Sequence, residues 1–198
     1  SPGATAATGA DGAFHLTKVP LGPAPITVTA ESFAPEQVEV TVAPDCPPLK
    51  IQLQPAAVLK LRVLDGTGVG VPGTRVTLED WRARHSLEWT DFTDEEGRVE
   101  WRSAPRDKIA IVAIKTGFFV VRDYVLQADG KEHTITMNRA LKVSGWVLDA
   151  DTKQPIASFK AIPGYGSSGD YWYRSDLRRG VDGQYTLTFD EPKPPYFV

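Results

Sequence analysis

The sequence is poor in the residues that build covalent and metal cross-links. Cys46 is the only cysteine among 198 residues, so neither an intrachain disulfide nor a thiolate metal cluster can form. Only three histidines are present, and we expect neither a metal nor another cofactor. The chain has no Gly-x-Ser-x-Gly element, and no histidine stands near Cys46, so these signatures of nucleophilic hydrolases are missing.

Long apolar runs and charge of a single sign are absent as well. No segment approaches the roughly 20 apolar residues of a membrane-spanning helix, so we predict no membrane span. The net charge of -3, with both signs interspersed, gives no basic field for nucleic acid. Helical periodicity is also missing from every window of about 11 residues, which favours strands.

Turn residues, by contrast, are abundant and recur in order. The chain has 17 glycines and 16 prolines, with 41% apolar residues to form a core. Gly12, Gly97 and Gly183 lie 85 and 86 residues apart, each preceded by an acidic residue and followed two places later by an apolar or aromatic one. Such Asp-Gly and Glu-Gly pairs are typical of tight hairpin turns, because glycine takes positive φ at little cost.

Three further blocks recur at similar intervals. LKLRVLDGTG (59–68) matches VSGWVLDADT (143–152), ITVTAESF (26–33) matches IAIVAIKTGF (109–118), and LKIQLQP (49–55) matches HTITMNR (133–139). A repeat of this length is a small domain rather than a solenoid unit. We therefore predict the later part of one unit at 1–56, a complete unit at 57–141 and the earlier part of a third at 142–198.

Period-2 alternation dominates the complete unit. Leu59, Leu61 and Val63 should face inward, with Lys60 and Arg62 outward. The same alternation predicts Val76 with Leu78, Val99 with Trp101, Ile109 with Ile111 and Ala113, and Ile135 with Met137 on inward faces. About seven short strands with frequent turn signals predict an all-β protein made of antiparallel Greek-key sandwiches.

These blocks resemble the carboxypeptidase regulatory-like family, whose members have a transthyretin-like sandwich. The resemblance rests on VLDGTGVGVPGTRVTL (63–78), VLDADTKQPIASFKAI (147–162), the Gly-turn hairpins and VPLGPAPITVTAESFAP (19–35). It covers nearly all of the chain and implies tandem modules beside enzymes, receptors or adhesins of bacterial extracellular proteins. It also implies a secreted, periplasmic or cell-surface location. A shared fold does not by itself define a role.

Exposed aromatic residues are the candidate binding groups. Trp146 takes the place of Arg62 on the outward face of its strand. The loop at 163–176 concentrates Tyr165, Tyr171, Trp172 and Tyr173 among glycines and serines. Such side chains suit the apolar face and hydroxyls of a sugar, or a protein partner. The alternative is structural, with Tyr171 and Tyr173 pointing inward and Trp172 packing on a neighbouring unit.

Two chemical alternatives stay open. His85 and Glu88 have the His-x-x-Glu spacing of a zinc site, which would need a third ligand. Lys60 and Asn138, with Glu100 as the nearby acid, are the residue types of the isopeptide bond found in a related surface-protein family. Solvated strand positions are the simpler interpretation of both.

The sequence thus predicts a noncatalytic structural, spacer or adhesive module within a tandem array. Its partners would be other repeats of the same chain or neighbouring subunits. The alternative is a carbohydrate-binding module that uses the exposed aromatics, with polysaccharide as its partner. The links at 54–57 and 138–140 are short, which favours a semi-rigid arrangement of units.

Overall fold

Strands and turns make up all the regular structure in the residues that the computed structural model describes. These residues are 4–83, 86–165, 171–172, 178–189 and 196–197. The all-β fold class is confirmed. Among the described residues there is no helix long and apolar enough to cross a membrane. The strands are β1 (Gly22–Val28), β2 (Glu36–Val42), β3 (Ala57–Asp65), β4 (Arg75–Trp81), β5 (Thr90–Phe92), β6 (Arg98–Ala104), β7 (Lys108–Ile114), β8 (Val121–Gln127), β9 (Glu132–Met137), β10 (Leu141–Trp146), β11 (Ser158–Ala161), β12 (Gly164–Tyr165), β13 (Tyr171–Trp172), β14 (Arg178–Val181), β15 (Gln184–Phe189) and β16 (Tyr196–Phe197).

Strands β3–β9 form a two-sheet sandwich, called here the middle sandwich. One sheet has the order β6-β3-β9 and the other β5-β4-β7-β8. Every residue predicted to face inward is buried, and Leu59, Val63 and Ile111 are 0% exposed. Side chains from both sheets join in one apolar core. The predicted alternation of β3 is therefore confirmed.

Two tryptophans pack against each other at this core. Trp101, predicted as a core residue, is 6% exposed and stacks on Trp89. Their ring centroids are 4.8 Å apart and the rings are within 6° of parallel. An offset stack of this kind adds about 0.5–1.5 kcal/mol beyond the area that the rings bury.

One pairing differs from the antiparallel arrangement that the sequence predicts for the sandwiches. Strand β9 lies parallel to β3, with Ile135 opposite Val63 and Met137 opposite Asp65. The chain reaches β9 from β8 in the other sheet, so no tight hairpin joins β9 to its partner. A crossover of this kind allows a parallel pair, whereas a two-residue hairpin allows only an antiparallel one.

The first segment (residues 4–56) is less regular than predicted. It contains the β1–β2 hairpin, but residues 13–19 and 49–54 are not assigned as strands. Their counterparts in the middle sandwich, β6 and β9, both pair with β3. No described part of the first segment occupies the position of β3 between them. Residues 13–19 and 49–54 therefore lack the strand with which their counterparts pair, although both keep their alternation of apolar residues.

The third segment (residues 141–189) pairs β10 with β15 and β11 with β14. Strands β14 and β15 are joined through the Asp182-Gly183 turn, where both residues have positive φ. A small core of Ala161, Leu187 and Phe189 lies inside, packed against Phe159 and Tyr185. Leu141 and Val143 face the same way as Phe189 and Leu187, their cross-strand partners.

The hydrogen bonds outside the strands recur at the interval seen in the sequence. Val63 N donates to Gly97 O at 2.7 Å, and Val147 N donates to Gly183 O at 2.7 Å. The turn glycines Gly12, Gly97 and Gly183 have φ values of 78°, 78° and 77°. Further equivalent bonds are Ala34 N to Gln54 O with Phe119 N to Asn138 O, Ala56 N to Ser32 O with Ala140 N to Gly117 O, and Val71 N to Val63 O with Ile156 N to Val147 O.

Candidate functional site

The predicted aromatic loop is described only in part. Tyr165 and Tyr171 are direct cross-strand partners in the β12–β13 pair, and Gly164 lies opposite Trp172. The backbone therefore brings three of the four predicted loop aromatics into one short antiparallel strand pair. Their side chains, and the whole of Tyr173, lie outside the described residues. The role of this loop stays a prediction.

Trp146 points into solvent, as its outward position predicts. It is the last residue of β10, and its side chain is 69% exposed. It lies directly opposite Gln184 on β15, which in turn pairs with Val181 on β14. Val181 is itself 65% exposed, so two apolar side chains flank one amide at the surface. Burying such side chains against a partner would remove apolar area from water.

A polar cluster joins the first segment to the middle sandwich. Arg82 follows β4 and donates to Glu36 Oε1 at 2.5 Å and to the carbonyl oxygen of Gln37 at 3.2 Å. Gln37 Nε2 also donates to Ser86 Oγ at 2.7 Å. We call this cluster, together with the Arg106 donor to Pro55 O at 3.3 Å, the junction. It connects residues that are far apart in sequence.

Asp107 fixes Arg82 from the side of the middle sandwich. Its Oδ2 accepts from Arg82 Nε at 2.6 Å, and its Oδ1 accepts from Trp81 Nε1 at 2.8 Å. The Arg82 guanidinium also lies 4.8 Å from the centroid of the Trp81 ring, in cation–π contact. Because Trp81 is 0% exposed, it anchors Asp107 and Arg82 to the core. The arginine is thereby positioned before it meets Glu36.

Backbone strain marks the same position. Arg82 and Ala83 have φ values of 54° and 56°, in the left-handed region that non-glycine residues seldom adopt. Strain of this kind costs about 1–3 kcal/mol per residue and persists only where surrounding contacts hold it. The carboxylates on either side of Arg82 supply such contacts.

The charges at the junction stabilise one another. Partial burial works against a charged Arg82, but its hydrogen bonds to Asp107 and Glu36 prevail and raise its pKa above the ordinary value. Partial burial likewise works against ionised Asp107. Hydrogen bonds from Arg82 and Trp81 outweigh this effect and lower the pKa of Asp107. Both groups therefore stay ionised at neutral pH.

Acid is expected to destabilise the protein through Asp107 and through two turn aspartates. Hydrogen bonds from Thr67 lower the pKa of Asp65, and those from Thr152 lower the pKa of Asp149. A carboxylate with a lowered folded-state pKa contributes stability above its unfolded pKa and loses it as the pH falls through the folded value. We expect the urea midpoint to be constant from about pH 7 to 5 and to fall between about pH 4 and 2.

The matching variant is Asp107→Asn. It should unfold at lower urea concentration than the parent at pH 6, and the difference should shrink at pH 3, where the carboxylate is increasingly protonated. Equal midpoints of the parent chain at pH 6 and pH 3 would contradict the expected linkage.

A cleft of about 400 Å³ opens beside the junction. Glu36 and Gln54 from the first segment line it together with Arg82, Arg106 and Asp107 from the middle sandwich. The opposite charges that line this cleft are already paired with one another. These side chains therefore stabilise the contact between the first segment and the middle sandwich. Sequence reasoning missed this cluster, since nothing in the repeat pattern links Glu36 to an arginine 46 positions later.

The two chemical alternatives receive no support from the described geometry. Glu88 is exposed, and His85 lies outside the described residues. Among the described residues, no group of three or more His, Cys, Asp and Glu side chains could hold a metal ion. Lys60 and Asn138 are both exposed, as the solvated interpretation predicts. An isopeptide bond would instead need its lysine shielded beside a partner and an acid.

Comparisons with known proteins leave the family open. No family model and no curated protein matches the chain. Similar solved structures include a Streptococcal ancillary pilin (16% identity, TM-score 0.42), the Bacillus anthracis TIE protein (13%, 0.37) and the shaft pilin SpaA of Lactobacillus rhamnosus GG (12%, 0.34). The similarity covers 89%, 93% and 71% of this chain and 65%, 37% and 85% of theirs. The chain thus spans less than two thirds of the first two.

Proposed function

We propose that the chain is a noncatalytic structural or adhesive module of a larger secreted or surface protein, built from tandem sandwich units. The observation that carries the proposal is the recurrence of the same turn geometry and closing hydrogen bonds at intervals of 84–86 residues. Equivalent backbone contacts at equivalent positions are expected where one small domain is repeated. The units would be those at 1–56, 57–141 and 142–198.

The junction supports a spacer role for these units. Pro55 forms a bridge with Phe33 in the first segment, and β3 begins two residues later at Ala57. A link this short has little freedom of its own. Arg82 then connects the two parts by an ion pair with Glu36. A covalent tether and a side-chain clamp together would hold neighbouring units in one orientation.

A distance measurement tests this role directly. Nitroxide labels would be placed on Thr41→Cys in β2 and Thr136→Cys in β9, both exposed positions, in a Cys46→Ser background. We expect one narrow distance distribution by double electron–electron resonance. Arg82→Ala should broaden it, because the variant removes the contacts to Glu36 and Gln37. The stability of the middle sandwich should fall by only about 0–1 kcal/mol, as is usual for exposed ion pairs.

Arg122→Ala is the matched control for this experiment. Arg122 forms an ion pair of 3.4 Å with Glu79 inside the middle sandwich, so its loss should leave the distribution narrow. A broad distribution in the parent chain would contradict the spacer proposal. Equal broadening by both substitutions would show that the effect is not specific to the junction.

A second candidate function is carbohydrate binding, favoured by the 69% exposure of Trp146. The aromatic residues of 163–176 would contribute to the same activity. An indole ring offers a flat apolar surface with a polar N–H at its edge, which suits a pyranose ring. A change in tryptophan fluorescence on adding polysaccharide, lost in Trp146→Ala or Trp172→Ala, would support this function. Unchanged fluorescence with every polysaccharide would contradict it.

A further inference from the structure

The outward face of the β10–β15 pair carries a single charged side chain, Lys142. Alternation places one set of side chains from each strand on this face, and every described member of the set is exposed. At its centre, Ser144 and Thr186 are cross-strand partners whose hydroxyl oxygens lie 2.9 Å apart. The face carries Lys142, Ser144 and Trp146 from β10 and Gln184, Thr186 and Thr188 from β15.

The equivalent face of the middle sandwich is charged. The β3–β6 pair occupies the same place relative to the Gly-turn hairpin and presents Lys60, Arg62, Arg98, Glu100 and Arg102. Several of these side chains pair with acids or bases, such as Arg102 with Glu100 at 2.8 Å. In the sequence repeat their counterparts are Ser144, Trp146, Gln184, Thr186 and Thr188. All five of these positions are uncharged in the third segment, whereas Lys142 stands where the middle sandwich has Val58.

The fold itself does not require this replacement. Apart from the half-buried Arg62, the side chains named on both faces are exposed. The charged side chains of the middle sandwich are therefore compatible with the same type of strand pair. Charged residues on an exposed strand also help to prevent unwanted association, so their removal is a cost unless the face binds something. A tryptophan at the position of Arg62 adds to that cost.

The remaining groups define what kind of molecule fits. Trp146 offers a ring, Gln184 directly opposite offers an amide, and Ser144 and Thr186 offer hydroxyls in the adjacent row. Hydroxyls and amides both donate and accept hydrogen bonds, as sugar hydroxyls do. A polyanion would need cations along the face. Within the β10–β15 pair the one charged side chain is Lys142, at the far end of β10 from Trp146, and the next two strands of the sheet place Arg179 and Lys160 on the same side.

We propose that a neutral polysaccharide binds across this face, with one sugar ring on Trp146 and its hydroxyls paired with Gln184, Ser144 and Thr186. The proposal rests on the second candidate function and gives it a location and a ligand class. It moves the principal contact from the loop at 163–176 to the β10–β15 face. The structural role of the chain does not depend on it.

Native gels containing hydroxyethylcellulose, xyloglucan, galactomannan or glycogen test the proposal on the full chain. We expect at least one of these neutral polymers to retard the parent protein. Trp146→Ala should weaken the binding at least tenfold. The matched control is Phe92→Ala, which removes another exposed aromatic, 59% exposed on β5, and should bind like the parent.

A second variant probes the absence of charge. Gln184→Arg with Thr186→Glu introduces the residues that stand at Arg98 and Glu100 in the middle sandwich, where the same kind of strand pair accommodates them. It should fold, as judged by circular dichroism, and lose binding at least tenfold. Unchanged binding by this folded variant would overturn the assigned face.

Other outcomes distinguish failure of the proposed β10–β15 face from failure of carbohydrate binding as a function. Loss of binding in Trp172→Ala but not in Trp146→Ala would overturn the proposed face while leaving carbohydrate binding intact. A preference for polygalacturonate, or equal binding of polyglutamate, would overturn the neutral class. If no polymer binds and Trp146→Ala instead abolishes a dimer seen by light scattering, the face joins copies of the chain and the proposal is wrong.

Discussion

Replacing Gly97 by alanine is expected to destabilise the middle sandwich by about 2–5 kcal/mol. Gly97 has φ +78°, where an alanine side chain is strained. A Cβ there would also collide with the carbonyl oxygen of Val63 and lie 2.8 Å from the amide nitrogen of Val71. These atoms belong to the backbone, so they cannot move without disturbing β3. The carbonyl of Gly97 accepts from Val63 N at 2.7 Å, and this bond holds the turn against the strand.

Gly130→Ala is the matched control for Gly97→Ala. Gly130 lies in the same sandwich and also has φ +78°, but a Cβ there would meet nothing within 4 Å. We expect it to cost only the backbone strain, about 1–2 kcal/mol. Urea unfolding followed by tryptophan fluorescence, to which the stacked pair Trp89 and Trp101 contributes, measures both variants. Equal losses would show that close approach of the backbone is not what selects glycine at 97.

The inward faces of the middle sandwich could be predicted from sequence because they depend on local geometry. Successive side chains of a strand point to opposite sides, so the alternation of Leu59, Lys60 and Leu61 determines which of them are buried. The hairpin glycines could be predicted for a similar reason, since few residues other than Gly accept positive φ in a tight turn. Repetition at Gly12 and Gly183 reinforced that inference.

Pairings between distant strands could not be predicted in the same way. The parallel partnership of β3 with β9 brings together segments about 70 positions apart, and alternation is the same in parallel and antiparallel strands. The segments 13–19 and 49–54 show the opposite error, since their sequence predicts strands that do not form. They carry the apolar pattern of strands, but a strand also needs a continuous ladder of hydrogen bonds to a neighbour. The described chain gives them isolated bonds, such as Ala34 N to Gln54 O, and no ladder.

The candidate sites also differ in how far they could be predicted from the sequence. The exposure of Trp146 could be predicted from the sequence, because aligning the repeats places it at the outward position of Arg62. The sparsely charged face around it depends on knowing that Gln184 lies opposite Trp146 and Thr186 opposite Ser144. The junction depends on the strained turn at Arg82, which aims a side chain at Glu36. Register and rotamer cannot be inferred from residue type alone.

Truncation of Trp81 is expected to have an effect as large as that of Gly97→Ala, and it reaches the junction as well. Trp81 is 0% exposed, so Trp81→Ala should lower the free energy of unfolding by about 3–5 kcal/mol through lost burial and the cavity left behind. Trp81→Phe keeps most of the packing but removes the Nε1 donor to Asp107. We expect that variant to cost about 1–3 kcal/mol, because the smaller ring leaves part of a fully buried site unfilled and Asp107 Oδ1 loses its donor.

The two substitutions at Trp81 also separate packing from positioning. Asp107 holds Arg82 through its other oxygen, so losing the indole donor should let the Asp107–Arg82 pair reorient. We therefore expect Trp81→Phe to broaden the distance distribution between labels at positions 41 and 136 while the middle sandwich stays folded in the absence of urea. Leu61→Ala, an equally buried site in β3 away from these contacts, should lower stability without broadening the distribution. If Trp81→Phe leaves the distribution narrow, the core does not position Arg82 through Asp107, and the clamp depends on Glu36 and the short link alone.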